Sequence, residues 1–207
     1  MAQIFGSGIE ETDMHDETEA ESTTPCRESD PSGRRHARAY LALGSNQGDR
    51  ADRIEHALAA LARLPETELA VLSPLYESEP AYHTEQEPFA NAVLEVRTAL
   101  TPHELLDQLQ RIEREEGRMR PFPNAPRPLD LDILDYEDAL CDDERLTLPH
   151  PRLLERDFTV TPLLDISPSC TLADGTAVTR GRITHGRILR QLEGLDLPPS
   201  ARATTRE

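Results

Sequence analysis

The chain has 207 residues, a length typical of one folded domain, and its 39 acidic residues outnumber 22 basic ones for a formal net charge of −17. All 22 basic residues are arginine, and the absence of lysine excludes Walker-type phosphate loops, protein-kinase folds and Schiff-base chemistry. The negative charge also disfavours nonspecific binding to nucleic acid or to anionic membranes, so neither is expected as a partner.

Residues 1–36 differ in composition from the rest of the chain. Nine acidic side chains and one arginine occur before residue 33, together with few apolar residues. Such a segment cannot bury enough apolar surface to offset its chain entropy, so we predict a disordered acidic tail at 1–36 and a single domain at 37–207. The start of the chain has neither the basic nor the apolar region of a signal peptide, which indicates a cytoplasmic protein.

The folded part alternates strands and helices in chain order. An apolar run at 39–43 ends in a Gly-Ser-Asn-Gln-Gly turn, which predicts a strand and then a helix beginning at Asp49. The capping box Thr101-Pro-His-Glu104 predicts a second helix that extends to about residue 116. Further strands are predicted at 69–76, 91–98, 129–136 and 144–148, and short helices at 158–166 and 188–192. The order β-α-β-β-α-β, with additional C-terminal elements, is that of an α+β ferredoxin-like sandwich.

The segment Arg127-Pro-Leu-Asp-Leu-Asp-Ile133 carries the strongest chemical pattern. Because side chains alternate along a strand, Asp130 and Asp132 share one face, and the apolar residues between them share the other. Their β-carbons are expected roughly 6.5–7 Å apart. Carboxylates at this spacing can bind one or two Mg²⁺ ions together with substrate phosphates. An ordinary exposed face of an acidic protein would show the same residues, so both interpretations remain open.

Three arginines, Arg118, Arg120 and Arg127, form a cationic stretch within residues 117–129, where no acidic residue occurs. Arginine can donate two hydrogen bonds to phosphate oxygens and keeps its charge when partly buried. A mobile loop with these arginines, next to metal-binding carboxylates, suits closure over a polyphosphate. A solvated loop is the alternative.

His150 stands between two prolines, and Arg156 follows shortly after it. A histidine in this setting can bind a ligand or serve the fold. The pattern favours neither interpretation.

Four motifs occur together in order: Gly44-Ser-Asn46, Pro88-Phe-Ala-Asn91, Arg127-x-x-Asp-Leu-Asp-Ile133, and Pro149-His-Pro-Arg152 with Phe158-x-x-x-Pro162. In these motifs the chain resembles the 6-hydroxymethyl-7,8-dihydropterin pyrophosphokinases of folate biosynthesis, from about residue 40 to residue 168. The resemblance implies a ferredoxin-like fold and transfer of the β,γ-pyrophosphoryl group of MgATP to the pterin's hydroxymethyl oxygen, with release of AMP. It also implies two Mg²⁺ ions, ATP and the pterin as small-molecule substrates, and a monomer.

The resemblance further implies roles for individual residues. Asp130 and Asp132 would hold Mg²⁺, while Arg127, Arg118 and Arg120 would neutralise phosphate charge. The residues implied to bind the pterin are Phe89, Asn91, Phe158, Ser78 and Ala81. Those implied to contact ATP are Gln110, Glu113, Ile133, Arg145, Thr147, His150 and Arg156.

The chain departs from the family in the loop before the aspartates. Pro123-Asn-Ala-Pro-Arg127 lacks the usual tryptophan and is one residue short, and Pro128 replaces a usual threonine or serine. Three alternatives remain open: a noncatalytic ferredoxin-like module that binds nucleotide or metal as a regulator, another Mg²⁺-dependent phosphotransferase or phosphohydrolase, and a degenerate paralogue. No evident general base activates water, which disfavours hydrolysis.

Overall fold

The computed structural model describes residues 24–27, 36–82, 85–117 and 127–199. In chain order its strands are β1 (Thr24–Arg27), β2 (Ala37–Ser45), β3 (Thr67–Leu72), β4 (Tyr76–Ser78), β5 (Phe89–Thr98), β6 (Asp130–Tyr136), β7 (Leu140–Asp142), β8 (Thr147–Leu148) and β9 (Ile188–Gln191). Its α-helices are α1 (Arg50–Leu61), α2 (Pro102–Glu115) and α3 (Asp157–Ile166).

The central sheet has six strands in the order β6-β2-β5-β4-β9, with β3 also paired to β5, and every pair in it is antiparallel. The fold is therefore mixed α/β with an antiparallel sheet. A second sheet joins β1, β7 and β8. Strand β1 belongs to the segment predicted as a tail, whereas the rest of that segment, apart from His36, lies outside the described residues. The disordered tail therefore stays a prediction.

Helices α1 and α2 cover one face of the central sheet. Their buried leucines and isoleucines pack on alternate residues of β2 and β6, including Leu41, Leu131 and Ile133. Both predicted helix starts are present: the Asp49 side chain caps α1, and Thr101 forms a capping box with Glu104 at α2. Among the described residues, no helix has both the length and the apolar character needed to cross a membrane.

Helix α3 covers part of the opposite face. Tyr40 of β2, Val93 of β5 and Leu134 of β6 are buried there against Val160 and Leu163 of α3. Val93 is thus buried by a helix that comes from a distant part of the chain. Beyond the edge of α3 the same face of the sheet opens into a pocket.

Two other predicted elements differ from the structure. Residues 188–192, predicted as a helix, contain strand β9 because they pair with the exposed edge of β4. The single strand predicted at 69–76 is two strands, since Pro74 has no N–H for a strand ladder and interrupts them. Ser73 keeps the chain attached to β5 at this break: its Oγ accepts a hydrogen bond from the Val93 N–H at 2.9 Å.

Candidate active site

The floor of the pocket is formed where β2, β5 and β6 run side by side. In their register Gly44 of β2 lies between Asp130 of β6 and Asn91 of β5. A Cβ on Gly44 would come within 3.1 Å of Asn91 Oδ1. Glycine therefore keeps open the space between the amide and the carboxylate.

Asp130 and Asp132 both line this pocket. The neighbouring Leu131 and Ile133 point to the other face of the sheet, where they are 3% exposed in the core beneath α1 and α2. The alternation expected for a strand thus places the two carboxylates side by side, as the sequence predicts. Helices α1 and α2 bury the apolar face of β6, whereas its acidic face lines the pocket.

Arg127 lies against the carboxylate pair. Its Nη1 forms an ion pair with Asp130 Oδ2 at 2.7 Å. Asn46 forms two hydrogen bonds with the Arg127 backbone. The Arg127 N–H donates to Asn46 Oδ1 at 2.8 Å, and the Asn46 N–H donates to the Arg127 carbonyl at 3.2 Å. The Arg127 Nε is buried and has no hydrogen-bond partner among the described residues. A donor in this situation suits an anionic ligand, because an unmet buried N–H is costly.

The donor set of this site fits Mg²⁺. Two adjacent carboxylates are hard oxygen ligands, and Mg²⁺ commonly takes only one or two of them and completes its octahedron with waters and substrate phosphates. Within the described part of the chain, no group of three or more histidine, cysteine, aspartate or glutamate side chains could hold a metal ion. The pair offers two protein ligands and leaves room for phosphate oxygens beside Arg127.

The other half of the pocket carries its aromatic side chains. Phe89 at the start of β5 and Phe158 in the first turn of α3 both line it, together with Ala81 and Asn91. The Asn91 Nδ2 donates to Ser78 Oγ at 2.9 Å in a buried contact, which fixes the orientation of the amide. Two phenyl rings and one fixed amide suit a flat heteroaromatic ligand with hydrogen-bonding edges.

Arg156 brings a positive charge into the pocket. It lines the pocket, and its guanidinium lies 5.6 Å from the ring centre of Tyr82 and 5.7 Å from that of Phe158. Its Nε also donates to the Tyr82 hydroxyl at 3.3 Å. These contacts hold a cation against the aromatic side chains of the pocket.

Several residues implied to contact ATP do not line this pocket. Glu113 of α2 is buried and its Oε1 accepts a hydrogen bond at 2.8 Å from the Leu131 N–H, between the two aspartates. Ile133 lies in the core. Arg145 pairs with Asp107 of α2. Gln110 and Thr147 lie on α2 and β8, and Arg118 and Arg120 fall outside the described residues.

His150 is partly buried next to the site. Burial, followed by the positive charge of Arg156, lowers the pKa of His150 to about 4. Its Nδ1 accepts a hydrogen bond from the Arg152 N–H at 3.1 Å, so the neutral ring carries its proton on Nε2. His150 therefore presents a neutral N–H donor near pH 7.

The neutral state of His150 predicts a pH-dependent stability. Its folded pKa lies below the unfolded value, so the unfolded chain binds the extra proton and stability falls as the pH falls from about 6.5 toward 4. The matched variant is His150→Asn, whose Oδ1 can replace Nδ1 as an acceptor. Between pH 7 and pH 5, we expect the free energy of unfolding to fall by about 1–2 kcal/mol more in the wild-type protein than in this variant. Urea unfolding at both pH values measures this difference. Equal losses in the two proteins would show that His150 is not held neutral.

The loop between β4 and β5 is held at both ends by Arg50 of α1. Arg50 donates to the Pro88 carbonyl at 2.7 Å and pairs with Glu77 Oε2 at 2.7 Å. Glu77 also pairs with Arg190 of β9, at 3.0 Å. Hydrogen bonds from Arg190 and Arg50 lower the pKa of Glu77. This network, centred on the buried Glu77, fixes the ends of the loop that carries Ala81 and Tyr82.

Replacing Glu77 with glutamine is expected to lower the free energy of unfolding by about 2 kcal/mol at pH 7, because two arginines lose a charged partner. A carboxylate with a lowered pKa stabilises above its unfolded pKa, so the difference from wild type should shrink as the pH falls through the acidic range. Urea unfolding at pH 7 and pH 4 measures both effects. Glu79→Gln is the matched control. Among the described residues Glu79 pairs with Arg187 alone, and its side chain is 45% exposed, so the free energy of unfolding should fall by less than about 1 kcal/mol. An equal loss of unfolding free energy in Glu77→Gln and Glu79→Gln would show that the Glu77 network does not stabilise the fold.

Four residues at the pocket received no role from the sequence: Asn46, Gln86, Tyr82 and Gly186. Asn46 belongs to the Gly44-Ser-Asn46 motif, so the motif could have indicated its role. Its Nδ2 donates to Gln86 Oε1 at 3.1 Å. Tyr82 and Gly186 have no local signal, because their contacts depend on segments that are distant in sequence.

Comparison with known proteins adds an independent line of observation. A family model described as 7,8-dihydro-6-hydroxymethylpterin-pyrophosphokinase (HPPK) matches residues 40–168. A 2-amino-4-hydroxy-6-hydroxymethyldihydropteridine pyrophosphokinase of Pseudomonas aeruginosa is 46% identical over 138 residues, which cover 67% of this chain and 85% of that protein. The protein of the same name from Haemophilus influenzae is 40% identical over 141 residues, covering 68% of this chain and 88% of that protein.

A similar fold occurs in a solved structure of the HPPK-DHPS protein of Plasmodium falciparum. The TM-score is 0.52 at 14% identity, over 81% of this chain and 45% of that one. At this level of identity the similarity concerns the fold alone. The present chain thus spans less than half the length of that protein.

Proposed function

The chain belongs to the 7,8-dihydro-6-hydroxymethylpterin-pyrophosphokinase family, and from this premise we infer that it is an ATP-dependent pyrophosphokinase of folate biosynthesis. It transfers the β,γ-pyrophosphoryl group of MgATP to the hydroxymethyl oxygen of 6-hydroxymethyl-7,8-dihydropterin and releases AMP. One observation carries the proposal: a single pocket joins Asp130, Asp132 and Arg127 to the aromatic pair Phe89 and Phe158. A noncatalytic regulatory module is not favoured by these relatives.

The aromatic half of the pocket is proposed to bind the pterin. Phe89 and Phe158 would stack on the two faces of the ring, and Asn91 would bond to its edge. Because Asn91 Nδ2 is already engaged with Ser78, its Oδ1 is the atom suited to accept from the N–H groups of the pterin. Ala81 adds an apolar contact from the loop. The hydroxymethyl group would then lie toward the acidic half.

The acidic half is proposed to hold the triphosphate. Asp130 and Asp132 would hold two Mg²⁺ ions, which when bound neutralise phosphate charge and align the attacking and leaving oxygens. Arg127 would donate to a phosphate oxygen through its buried Nε, with Arg118 and Arg120 on the same loop adding charge. Such transfer depends on positioning and charge neutralisation more than on covalent chemistry.

The remaining implied residues are proposed to serve the ATP side in different ways. His150 would donate from its neutral Nε2–H, and Arg156 would add charge from the border of the pocket. Glu113 would act by fixing the backbone between the two aspartates rather than by contacting nucleotide. Ile133 could reach a ligand only through its backbone, since its side chain is in the core. Gln110, Arg145 and Thr147 remain assigned to ATP by resemblance alone.

The finer architecture is part of the same proposal. The strand order β6-β2-β5-β3, with α1 and α2 on one face, supports a ferredoxin-like arrangement within a single domain at 37–207. We also propose that the chain acts as a monomer. We further propose a cytoplasmic location, where ATP is available. The proposed absence of nucleic-acid or membrane partners accords with the net charge of −17.

The proposal is tested by incubating the purified full-length chain with MgATP, with and without 6-hydroxymethyl-7,8-dihydropterin, and separating nucleotides by chromatography. AMP should form only when the pterin is present. ADP in place of AMP would indicate a phosphotransferase, nucleotide hydrolysis without pterin would indicate a phosphohydrolase, and no turnover would indicate a regulatory module or a degenerate paralogue. Each of these results contradicts the proposed function.

A further inference from the structure

Residues 184–191, called here the clasp, pack against the aromatic half of the pocket, although they lie outside the matched range 40–168. Backbone hydrogen bonds tie the clasp to both walls of that half. The His185 carbonyl accepts from the Asp157 N–H at 3.0 Å, next to Phe158. The Arg187 carbonyl accepts from the Glu79 N–H at 2.9 Å, on the loop that carries Ala81.

Side chains of the clasp reinforce both attachments. Arg187 Nη2 pairs with Glu79 Oε1 at 2.7 Å, and the ring of His185 lies 5.4 Å from that of Tyr82. On the other wall, Asp157 Oδ2 accepts from the Ile188 N–H at 2.9 Å. The clasp therefore connects the loop after β4 with the start of α3.

Gly186 lies at the centre of the clasp, in direct contact with Phe158. A Cβ at this position would be 2.3 Å from Cδ1 and 2.4 Å from Cε1 of the Phe158 ring, distances at which atoms cannot coexist. Gly186 also has φ of +60°, a conformation that favours glycine. The phenyl ring thus rests directly on glycine backbone, so that any side chain there must displace the ring.

We propose that Gly186 is a positioning residue for pterin binding: its bare backbone lets Phe158 take the orientation on which the pterin stacks. The inference rests on the proposed function, which places the pterin beside Phe158. A methyl group at Gly186 would tilt or push the ring and change the gap to Phe89. The effect on ATP binding should be much smaller, because the carboxylates and Arg127 lie in the other half of the pocket. Of the ATP-side residues, Arg156 contacts the Phe158 ring, and it is also held by Tyr82.

The test compares Gly186→Ala with Gly175→Ala. Gly175 also has a positive φ, of +84°, but a Cβ there would meet no atom within 4 Å. Both variants bear the backbone strain, and only Gly186→Ala meets Phe158. We expect Gly186→Ala to raise the KM and Kd for the pterin at least about tenfold and to change the Kd for ATP less than about twofold. Gly175→Ala should change neither constant.

A double variant separates displacement of the ring from general damage. In the Phe158→Leu background, adding Gly186→Ala should weaken pterin binding less than about twofold, because the smaller side chain can yield. If Gly186→Ala alone is unfolded in thermal scans, recovery of the fold in the double variant supports the clash with Phe158, and a failure to recover overturns it.

Two further results would overturn the inference: equal effects of the two alanine variants, or equal weakening of pterin and ATP by Gly186→Ala. Wild-type protein that forms no pterin-dependent AMP would instead remove the proposed function, and the pterin role of Gly186 with it. Wild-type activity is therefore measured first, so that the two failures are distinguished.

Discussion

Replacing Asp132 with asparagine is expected to lower kcat for pterin-dependent AMP formation by about 10²–10³-fold or more, a typical loss for one electrostatic contact to the transition state. Asparagine keeps the size of the side chain but cannot supply the negative oxygen that Mg²⁺ prefers. The same fall is expected for Asp130→Asn, since both carboxylates line the pocket. Steady-state assays at saturating pterin, repeated over a range of Mg²⁺ concentrations, measure the effect.

Asp138→Asn is the matched control for this change. Asp138 follows β6 in an exposed turn with φ of 59°, a conformation that asparagine also adopts readily. Its kcat and Mg²⁺ dependence should equal those of wild type. If Asp130→Asn and Asp132→Asn also retain the wild-type rate and Mg²⁺ dependence, the carboxylate pair does not hold the metal, even where the activity is real.

Arg127→Ala is expected to lower kcat by about 10²–10³-fold, because it removes a preorganised donor from the developing phosphate charge. Arg127→Lys should recover only part of this loss, since lysine keeps the charge but cannot place two donors in a fixed plane. The backbone hydrogen bonds to Asn46 do not depend on the side chain, so the fold should persist in both variants. Rates are measured at saturating ATP and pterin.

The control for Arg127 is Arg53→Ala. Arg53 of α1 forms a comparable ion pair, with Nη1 at 2.7 Å from Glu116 Oε2, but lies outside the pocket lining. Its loss should change kcat less than about twofold. If Arg53→Ala and Arg127→Ala slow the reaction equally, or if Arg127→Lys is as fast as wild type, Arg127 does not act on the phosphates through its planar donors.

Local patterns predicted the parts of this fold that depend on neighbouring residues. The caps at Asp49 and Thr101 define where α1 and α2 begin, and both are present because their bonds close within one turn of helix. Alternation along β6 likewise placed Asp130 and Asp132 on one face, because the opposite face needs its leucines for the core. The paired carboxylates could therefore be predicted from one short segment.

Features that depend on distant segments could not be predicted in this way. Residues 188–192 have the spacing of a short helix, yet the first four of them form β9 because they pair with the edge of β4. Val93 is buried by α3, which no pattern within β5 reveals. The sequence of α2 does not reveal that the Glu113 carboxylate accepts a hydrogen bond from the backbone of β6. Gly186 contacts Phe158 because β9, which follows it, pairs with β4.

The most direct test of the account follows the transferred group itself. The full-length chain is given 6-hydroxymethyl-7,8-dihydropterin and MgATP labelled with ³²P at the β-phosphate, and the products are separated and counted. We expect the label to leave ATP on the pterin product, with one AMP formed for each labelled pterin. Label that remains in ADP, or that appears as free diphosphate without a labelled pterin, would contradict it.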